Sequence, residues 1–344
     1  MQTAPRIESP PHAANATPLL EVADLRTWFQ TDAGPAKAVD GISFAIGRGK
    51  TLAIVGESGC GKTVTALSIL QLIPQPPGEF VSGEIRLEGR NLLAVSPAEL
   101  RKVRGGSVAM IFQEPGTSLN PVFTIGDQIG EAIRLHRGLP PAEVRGEIVR
   151  SLNAVHVSDP ERRLAQYPHE LSGGMKQRVM IATALSCNPK LLIADEPTTA
   201  VDVTIQARIL DLLRQIQAER GMSILLITHD LGVVAELADD VAVMYAGKIV
   251  ERAAVGELFD HPRHPYTLGL FGSLPRVDQK QGRLKAIEGS VPAATQFPAG
   301  CRFRERCRWA APECAQEPPL AELTPGHFVA CWKAGEIEPP VEVA

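Results

Sequence analysis

Residues 56 to 63 read GESGCGKT, a G-x-x-x-x-G-K-[ST] run that follows the apolar segment TLAIV and precedes a helical pattern. Few short patterns narrow the choice of fold so far. Gly56, Gly59 and Gly61 let the backbone curl so that N–H groups along Ser58, Cys60 and their neighbours face one point. The positive end of the following helix adds to them, and phosphate oxygens are the natural occupant. On that chemistry Lys62 reaches the β and γ phosphates of a nucleotide, and the Thr63 hydroxyl ligates Mg²⁺. Cys60 fits the loop because it is small, and its thiol is expected to make the site sensitive to alkylation.

The flanks agree with a loop carried on an α/β sheet. Segments LLEVADLRTWF, GISFAI and TLAIV read as strands, separated by the turn-prone DAGP and GRGK, and GEIRLEG (83–89) reads as another. From about Asn91 to Leu171 the pattern turns helical and more polar, which suggests an inserted helical subdomain over about 91–174. Alternation then resumes, with a helix around MKQRVMIATALS, a strand LLIA, a helix through TIQARILDLLRQIQAER and a strand SILLIT. In the second of these helices Ile205, Ile209, Leu212, Leu213 and Ile216 form one buried stripe at helical spacing. Short apolar strands separated by helices predict a parallel sheet covered on both faces.

Composition excludes other classes. A chain of 344 residues with 44% hydrophobic and 22% charged residues is an ordinary soluble or peripheral protein, and no stretch approaches the roughly 18 apolar residues of a membrane span. The net charge of −4 offers no basic field for nucleic acid. Residues 1–18 lack an apolar core of a secretory signal and read as a disordered lead-in. Six cysteines without an export signal imply reduced thiols.

A second group must hold the metal, and LLIADEP supplies it. The strand ends in Asp195, placed to hold Mg²⁺, and Glu196, placed to orient and deprotonate the attacking water. SILLITHD ends another strand in His229, an imidazole set to meet the γ-phosphate.

LSGGMKQR (171–178) discriminates among phosphate-loop ATPases. With GESGCGKT, Gln113 in MIFQEP, ADEP, Asp202 in TTAVD and His229, it resembles the nucleotide-binding subunit of ATP-binding cassette (ABC) transporters in motif order and spacing, over roughly residues 19–255. The resemblance implies a RecA-like P-loop core with an N-terminal antiparallel β subdomain and the helical insert. It also implies two such domains meeting head to tail, each ATP lying between one phosphate loop and the Ser172-Gly173-Gly174 segment of the other. By the same resemblance Phe29 stacks on adenine, Gln113 senses and ligates Mg²⁺, and Asp202 lines the dimer contact. Met175 stands where glutamine is commonest, and Val201 where leucine is usual; neither removes a phosphate contact.

From residue 261 the composition shifts to Pro, Arg and Cys, and 261–344 is expected to be an appended region with its own constraints. HPYT (264–267), LGLFGSLP, EGSVP (288–292) and PAGCRFRERC resemble the C-terminal extension of bacterial dipeptide and oligopeptide importer ATPases. That family implies a sister ATPase in a heterodimer, two membrane permeases and an extracytoplasmic substrate-binding protein, with the ATPase on the cytoplasmic face of the inner membrane. It includes importers of nickel, glutathione and certain sugars, so those solutes remain alternatives to peptides. A soluble cassette of translation or DNA repair is the rival class, disfavoured by the single cassette, the absence of a heptad run and the negative charge.

Cys301, Cys307, Cys314 and Cys331 are spaced C-x5-C-x6-C-x16-C, without the tight pairs of most zinc sites. Four thiolates suit a [4Fe–4S] cluster, which the family resemblance favours over zinc and over unligated thiols. Arg302, Arg304, Arg306 and Arg308 either offset the charge of such a cluster or form a solvated basic edge. The cluster is expected to be structural or regulatory, being far from the phosphate loop in sequence.

Overall fold

The computed structural model describes residues 17–113, 118–198, 203–273 and 287–337. Asp202, Val201 and the lead-in through residue 16 lie outside them. Two compact units are present, one formed by residues up to 47, 53–93 and from 239 onward, the other by 48–52 and 94–238.

The first unit opens with an antiparallel sheet. Strands β1 (Leu20–Thr31) and β2 (Gly34–Ile46) form a hairpin whose turn falls in the expected DAGP segment, where the Thr31 hydroxyl donates to the Gly34 carbonyl at 2.6 Å. Beyond β3 (Thr51–Val55), strands β4 (Gly78–Leu87) and β5 (Arg90–Asn91) complete the order β2-β1-β4-β5. Period-two alternation places Ile42, Phe44 and Ile46 of β2 in the core, each 1% exposed. β3 is buried at every residue and leads into helix α1 (Lys62–Ile69).

The same unit takes in the end of the chain. After the second unit, described below, β9 (Asp240–Tyr245) and β10 (Lys248–Ala254) pair antiparallel, with β9 beside β3. Two short strands of the tail, β11 (Ala321–Thr324) and β12 (His327–Val329), extend this sheet, β12 pairing with β10 through Glu251↔Val329 and Arg252↔Phe328. The tail, expected as an appended region over 261–344, thus lies in the same compact unit as the phosphate loop. The tie could not be read locally, because β11 and β12 are four and three residues long and their pairing is non-local.

In the second unit β6 (Val108–Ile111), β7 (Leu191–Asp195) and β8 (Ser223–Ile227) run parallel, in register from Val108↔Leu191 and Leu191↔Ser223. β6 interrupts the stretch expected to be helical. Its four apolar residues are a buried parallel strand, too short to show a period. The surrounding helices are α2 (Pro97–Val103), α3 (Ile125–Arg137), α4 (Pro141–Ala154), α5 (Pro160–Arg163), α6 (Gly173–Leu185), α7 (Val203–Arg220) and α8 (Leu231–Leu237). Thr124 and Asp127 form a capping box at the start of α3, and Gly138 ends it in the left-handed conformation. The expected stripe on α7 is buried at Ile209, Leu212, Leu213 and Ile216, while Ile205 is half-buried. The first unit closes with α9 (Val255–Asp260) and α10 (Pro265–Gly272).

Candidate functional site

The loop between β3 and α1 is folded around its own lysine. Lys62 Nζ donates to the carbonyls of Gly56 at 2.7 Å and Glu57 at 3.1 Å. Gly56 and Gly61 adopt φ +152° and +109°, and a Cβ at either would overlap a backbone oxygen, of Met244 and Ala38 respectively. Both positions therefore require glycine. Ser58, Gly59 and Thr63 are exposed along the open side, so the loop presents backbone to solvent where a phosphate would sit. Cys60 is fully buried, and burial raises its thiol pKa. The expected sensitivity to alkylation does not follow from this geometry, since both access and thiolate character are withheld.

Phe29 is half-buried on β1, paired with Ala36 and Gly78. Trp28 points to the other face, where Lys37 Nζ lies 4.9 Å from its ring centroid, and its indole N–H is buried without a hydrogen-bond partner.

In the second unit three side chains converge. Asp195 ends β7 and is 2% exposed. Glu196 follows with φ +48°, its N–H bonded to Ile227 O at 2.8 Å beside the end of β8. Glu196 Oε1 lies 3.1 Å from His229 Nδ1, and Glu196 Oε2 accepts from Gln113 Nε2 at 3.0 Å. Glu196 is largely covered while His229 is open to solvent, with side-chain exposures of 14% and 64%. Residues 113, 196 and 229, far apart in sequence, thus form one hydrogen-bonded chain around a carboxylate.

Ser172 caps α6, its hydroxyl accepting from Met175 N at 3.4 Å. Gly173 has open space where a side chain would stand, so the first turn of α6 offers bare N–H groups outward. Gln177, one turn along, is buried and donates to the Pro197 carbonyl, tying α6 to the segment after Glu196.

The tail makes two arrangements. Cys301, Cys307, Cys314 and Cys331 line one small pocket with Phe303 and Trp309. Burial raises the pKa of Cys301 and Cys307, and takes Cys331 to about 11, with the other thiols adding to the rise. The Lys333 N–H donates to Cys331 Sγ at 3.4 Å. All six cysteines are free, and among the described residues no three His, Cys, Asp or Glu side chains form a site for a metal ion.

The second arrangement reaches the phosphate loop. His264 caps α10 by accepting from Tyr266 N at 3.1 Å, and the Tyr266 hydroxyl accepts from the Glu57 N–H at 2.8 Å. Arg306 grips the Glu57 carboxylate with both terminal nitrogens, at 2.6 and 3.0 Å. Arg302 pairs with Asp40. The expectation of a solvated basic edge therefore fails for Arg302 and Arg306, whose side chains are 10% and 6% exposed. Only Arg308 among the four is exposed, lying over the Trp309 ring. Glu57, Tyr266 and Arg306 all lie inside quoted motifs, yet no spacing rule joins positions over 200 residues apart.

Comparison with known proteins accords with this geometry. Residues 39–199 match the ABC transporter family, and residues 250–314 match the oligopeptide/dipeptide transporter C-terminal region. A probable peptide ABC transporter ATP-binding protein of Sinorhizobium fredii is 51% identical over 321 residues, covering 93% of this chain and 96% of that protein. The oligopeptide transport ATP-binding protein AppD of Bacillus subtilis is 51% identical over 315 residues, covering 91% and 96%. Among solved structures, a dimeric ATP-binding cassette in a post-hydrolysis state bound to ADP and Pi superposes with a TM-score of 0.62 at 25% identity, covering 69% of this chain and 98% of that one. The chain belongs to the ABC transporter family of ATPases, with the C-terminal region of its oligopeptide/dipeptide branch.

Proposed function

We propose that the chain is the ATP-hydrolysing subunit of an importer that takes up di- and oligopeptides. The observation that carries the hydrolytic part is the Gln113–Glu196–His229 chain, with contacts of 3.0 and 3.1 Å. Glu196 is the general base that takes the proton of the attacking water, and His229, steered by Glu196 through Nδ1, offers Nε2 to the γ-phosphate. Gln113 holds the other carboxylate oxygen and relays the state of the site. Lys62 leaves the two loop carbonyls to bind the β and γ phosphates, while the N–H groups from Ser58 to Thr63 receive the remaining oxygens. Thr63, Gln113 and Asp195 offer oxygen ligands of the kind Mg²⁺ takes, and the ion supplies charge neutralisation on the phosphates. Phe29 stacks on adenine.

Ser172, Gly173 and Gly174 serve the nucleotide of a facing cassette, supported by the exposure of Ser172 and Gly173 at the start of α6. Asp202 lines that contact. The facing cassette is a sister ATPase, and the pair drives two permeases fed by an extracytoplasmic binding protein, which places this chain at the cytoplasmic face of the inner membrane. No helix among the described residues is long and apolar enough to cross a membrane. The peptide assignment rests on the names of the relatives, including the oligopeptide transport ATP-binding proteins AppD and OppD of Bacillus subtilis.

Cys301, Cys307, Cys314 and Cys331 are proposed to hold a [4Fe–4S] cluster. In support, four sulfur donors line one pocket walled by Phe303 and Trp309, with a backbone N–H directed at a sulfur. Such a cluster would cross-link the tail. Iron and acid-labile sulfide are measured on anaerobically purified protein and on Cys301→Ser: cluster stoichiometry lost in the variant supports it, whereas zinc alone or no metal overturns it.

Glu196→Gln tests the hydrolytic role. ATP binding is retained while turnover in the assembled transporter falls by about 100-fold or more, the scale of a general base. Normal turnover removes Glu196 from that role. Peptide uptake that is lost in a strain lacking this chain, competed in the parent strain with nickel, glutathione and oligosaccharides, separates the solutes.

A further inference from the structure

The phosphate loop carries a carboxylate, Glu57, one residue after Gly56. An acidic side chain is electrostatically adverse beside a polyanionic nucleotide. Here it is neutralised by a single group from the far end of the chain. Arg306 takes both Glu57 oxygens in a forked pair, and its own position is set by the Glu288 carbonyl at 2.9 Å and by the Tyr245 and Phe303 rings. Arg306 immediately precedes Cys307, one of the four pocket cysteines.

The main chain of Glu57 is held as well. Its N–H donates to the hydroxyl of Tyr266, which is 0% exposed, and its carbonyl accepts from Lys62. When Lys62 departs to a phosphate, two of these three anchors remain, and both come from the C-terminal extension. Tyr245, Tyr266 and Phe303 form an aromatic cluster behind them, with centroids 4.7 to 5.5 Å apart.

We propose that Arg306 and Tyr266 are positioning residues for nucleotide binding, holding Glu57 so that the phosphate loop keeps its shape and loses its negative charge. The inference rests on the nucleotide-binding reading of the loop and assigns part of that affinity to the extension. A loop whose Glu57 is released would both repel phosphate and lose the fixed geometry of its second residue.

Affinity is read on the full chain with a fluorescent ATP analogue and Mg²⁺, with the melting temperature of each variant recorded. Arg306→Gln is expected to weaken binding by about tenfold. Adding Glu57→Gln to it restores affinity to within about threefold of wild type, because the orphaned charge has gone. A purely structural role for Arg306 would not be rescued in this way, and an unrescued double variant or an unaffected Arg306→Gln overturns the proposal. Arg306→Lys keeps the charge without the fork and falls between the two. Tyr266→Phe weakens binding by removing the hydroxyl alone; an unchanged affinity removes Tyr266 from the role. A folded wild-type chain without nucleotide affinity would overturn the nucleotide reading and this inference with it, whereas wild-type affinity with an unaffected Arg306→Gln overturns only the inference.

Discussion

Gly61 shows how tightly one residue can constrain this loop. Its φ of +109° is reached freely only by glycine, and a Cβ there would run into the Ala38 carbonyl oxygen, which belongs to backbone and cannot rotate away. Gly61→Ala is therefore expected to abolish nucleotide binding by the full chain, checked by titration of a fluorescent ATP analogue; affinity within a few-fold of wild type would show that the loop tolerates rearrangement. Cys60 leads to the opposite kind of expectation. Buried, with its thiol pKa raised, it should stay unmodified by N-ethylmaleimide in the folded chain at pH 7.5 and react once the chain is denatured, as read by peptide mass spectrometry. The residue scale is also where the sequence was most legible, because chemistry prescribes residue type at short spacing. Gly56, Lys62, Glu196 and His229 could all be named from local context. What escaped was environment: the burial of Cys60 and the pairing of Arg306 with Glu57 depend on contacts that no local pattern encodes.

Helices α6 and α7 and strands β7 and β8 were legible as elements, since each carries a period or an apolar run bounded by breakers. β6, β11 and β12 were not, because strands of three or four residues have too few positions to show alternation. Yet β12 carries His327, whose Nε2 lies 2.8 Å from Glu251 Oε1, with both side chains at or below 1% exposure. Glu251 also receives the N–H groups of Arg263 and His264, so this one buried carboxylate joins β10, β12 and the start of α10. Removing one partner of a buried pair leaves the other charge uncompensated. His327→Ala should accordingly destabilise the chain by about 3–5 kcal/mol in urea unfolding. A loss below about 1 kcal/mol, the range of an exposed pair, would mean that β12 is not held by this contact.

Across the whole molecule two buried histidines of the first unit, His264 and His327, act in opposite directions on stability. Burial drives the pKa of His264 down to about 4, against a weaker opposing pull from Glu251, so it is neutral in the folded chain across the working range. Unfolded, it regains a pKa of about 6.5. Its contribution is present above pH 6.5 and is lost on acidification, as the unfolded chain takes up a proton that the folded chain refuses, at up to about 1.4 kcal/mol per pH unit until pH 4. For His327, burial opposes the charge, but Glu251 and then Glu257 outweigh it and hold the pKa above its ordinary value. That contribution is complete below about pH 6.5 and fades as the pH rises through the folded pKa. The sum of these two contributions should therefore be greatest near neutrality, His264 adding to the acid limb and His327 to the alkaline one. His264→Asn keeps a side chain able to cap α10, so it isolates the acid limb. The difference in unfolding free energy between wild type and His264→Asn should shrink by about 2–3 kcal/mol between pH 7.5 and pH 4.5, with urea titrations at four pH values as the measurement. Carboxylates that titrate lower, such as Asp40, are common to both chains and cancel in that difference. A difference independent of pH would mean that His264 takes its proton in the folded state. In that event the start of α10, and with it the position of Tyr266 against the phosphate loop, would itself respond to pH.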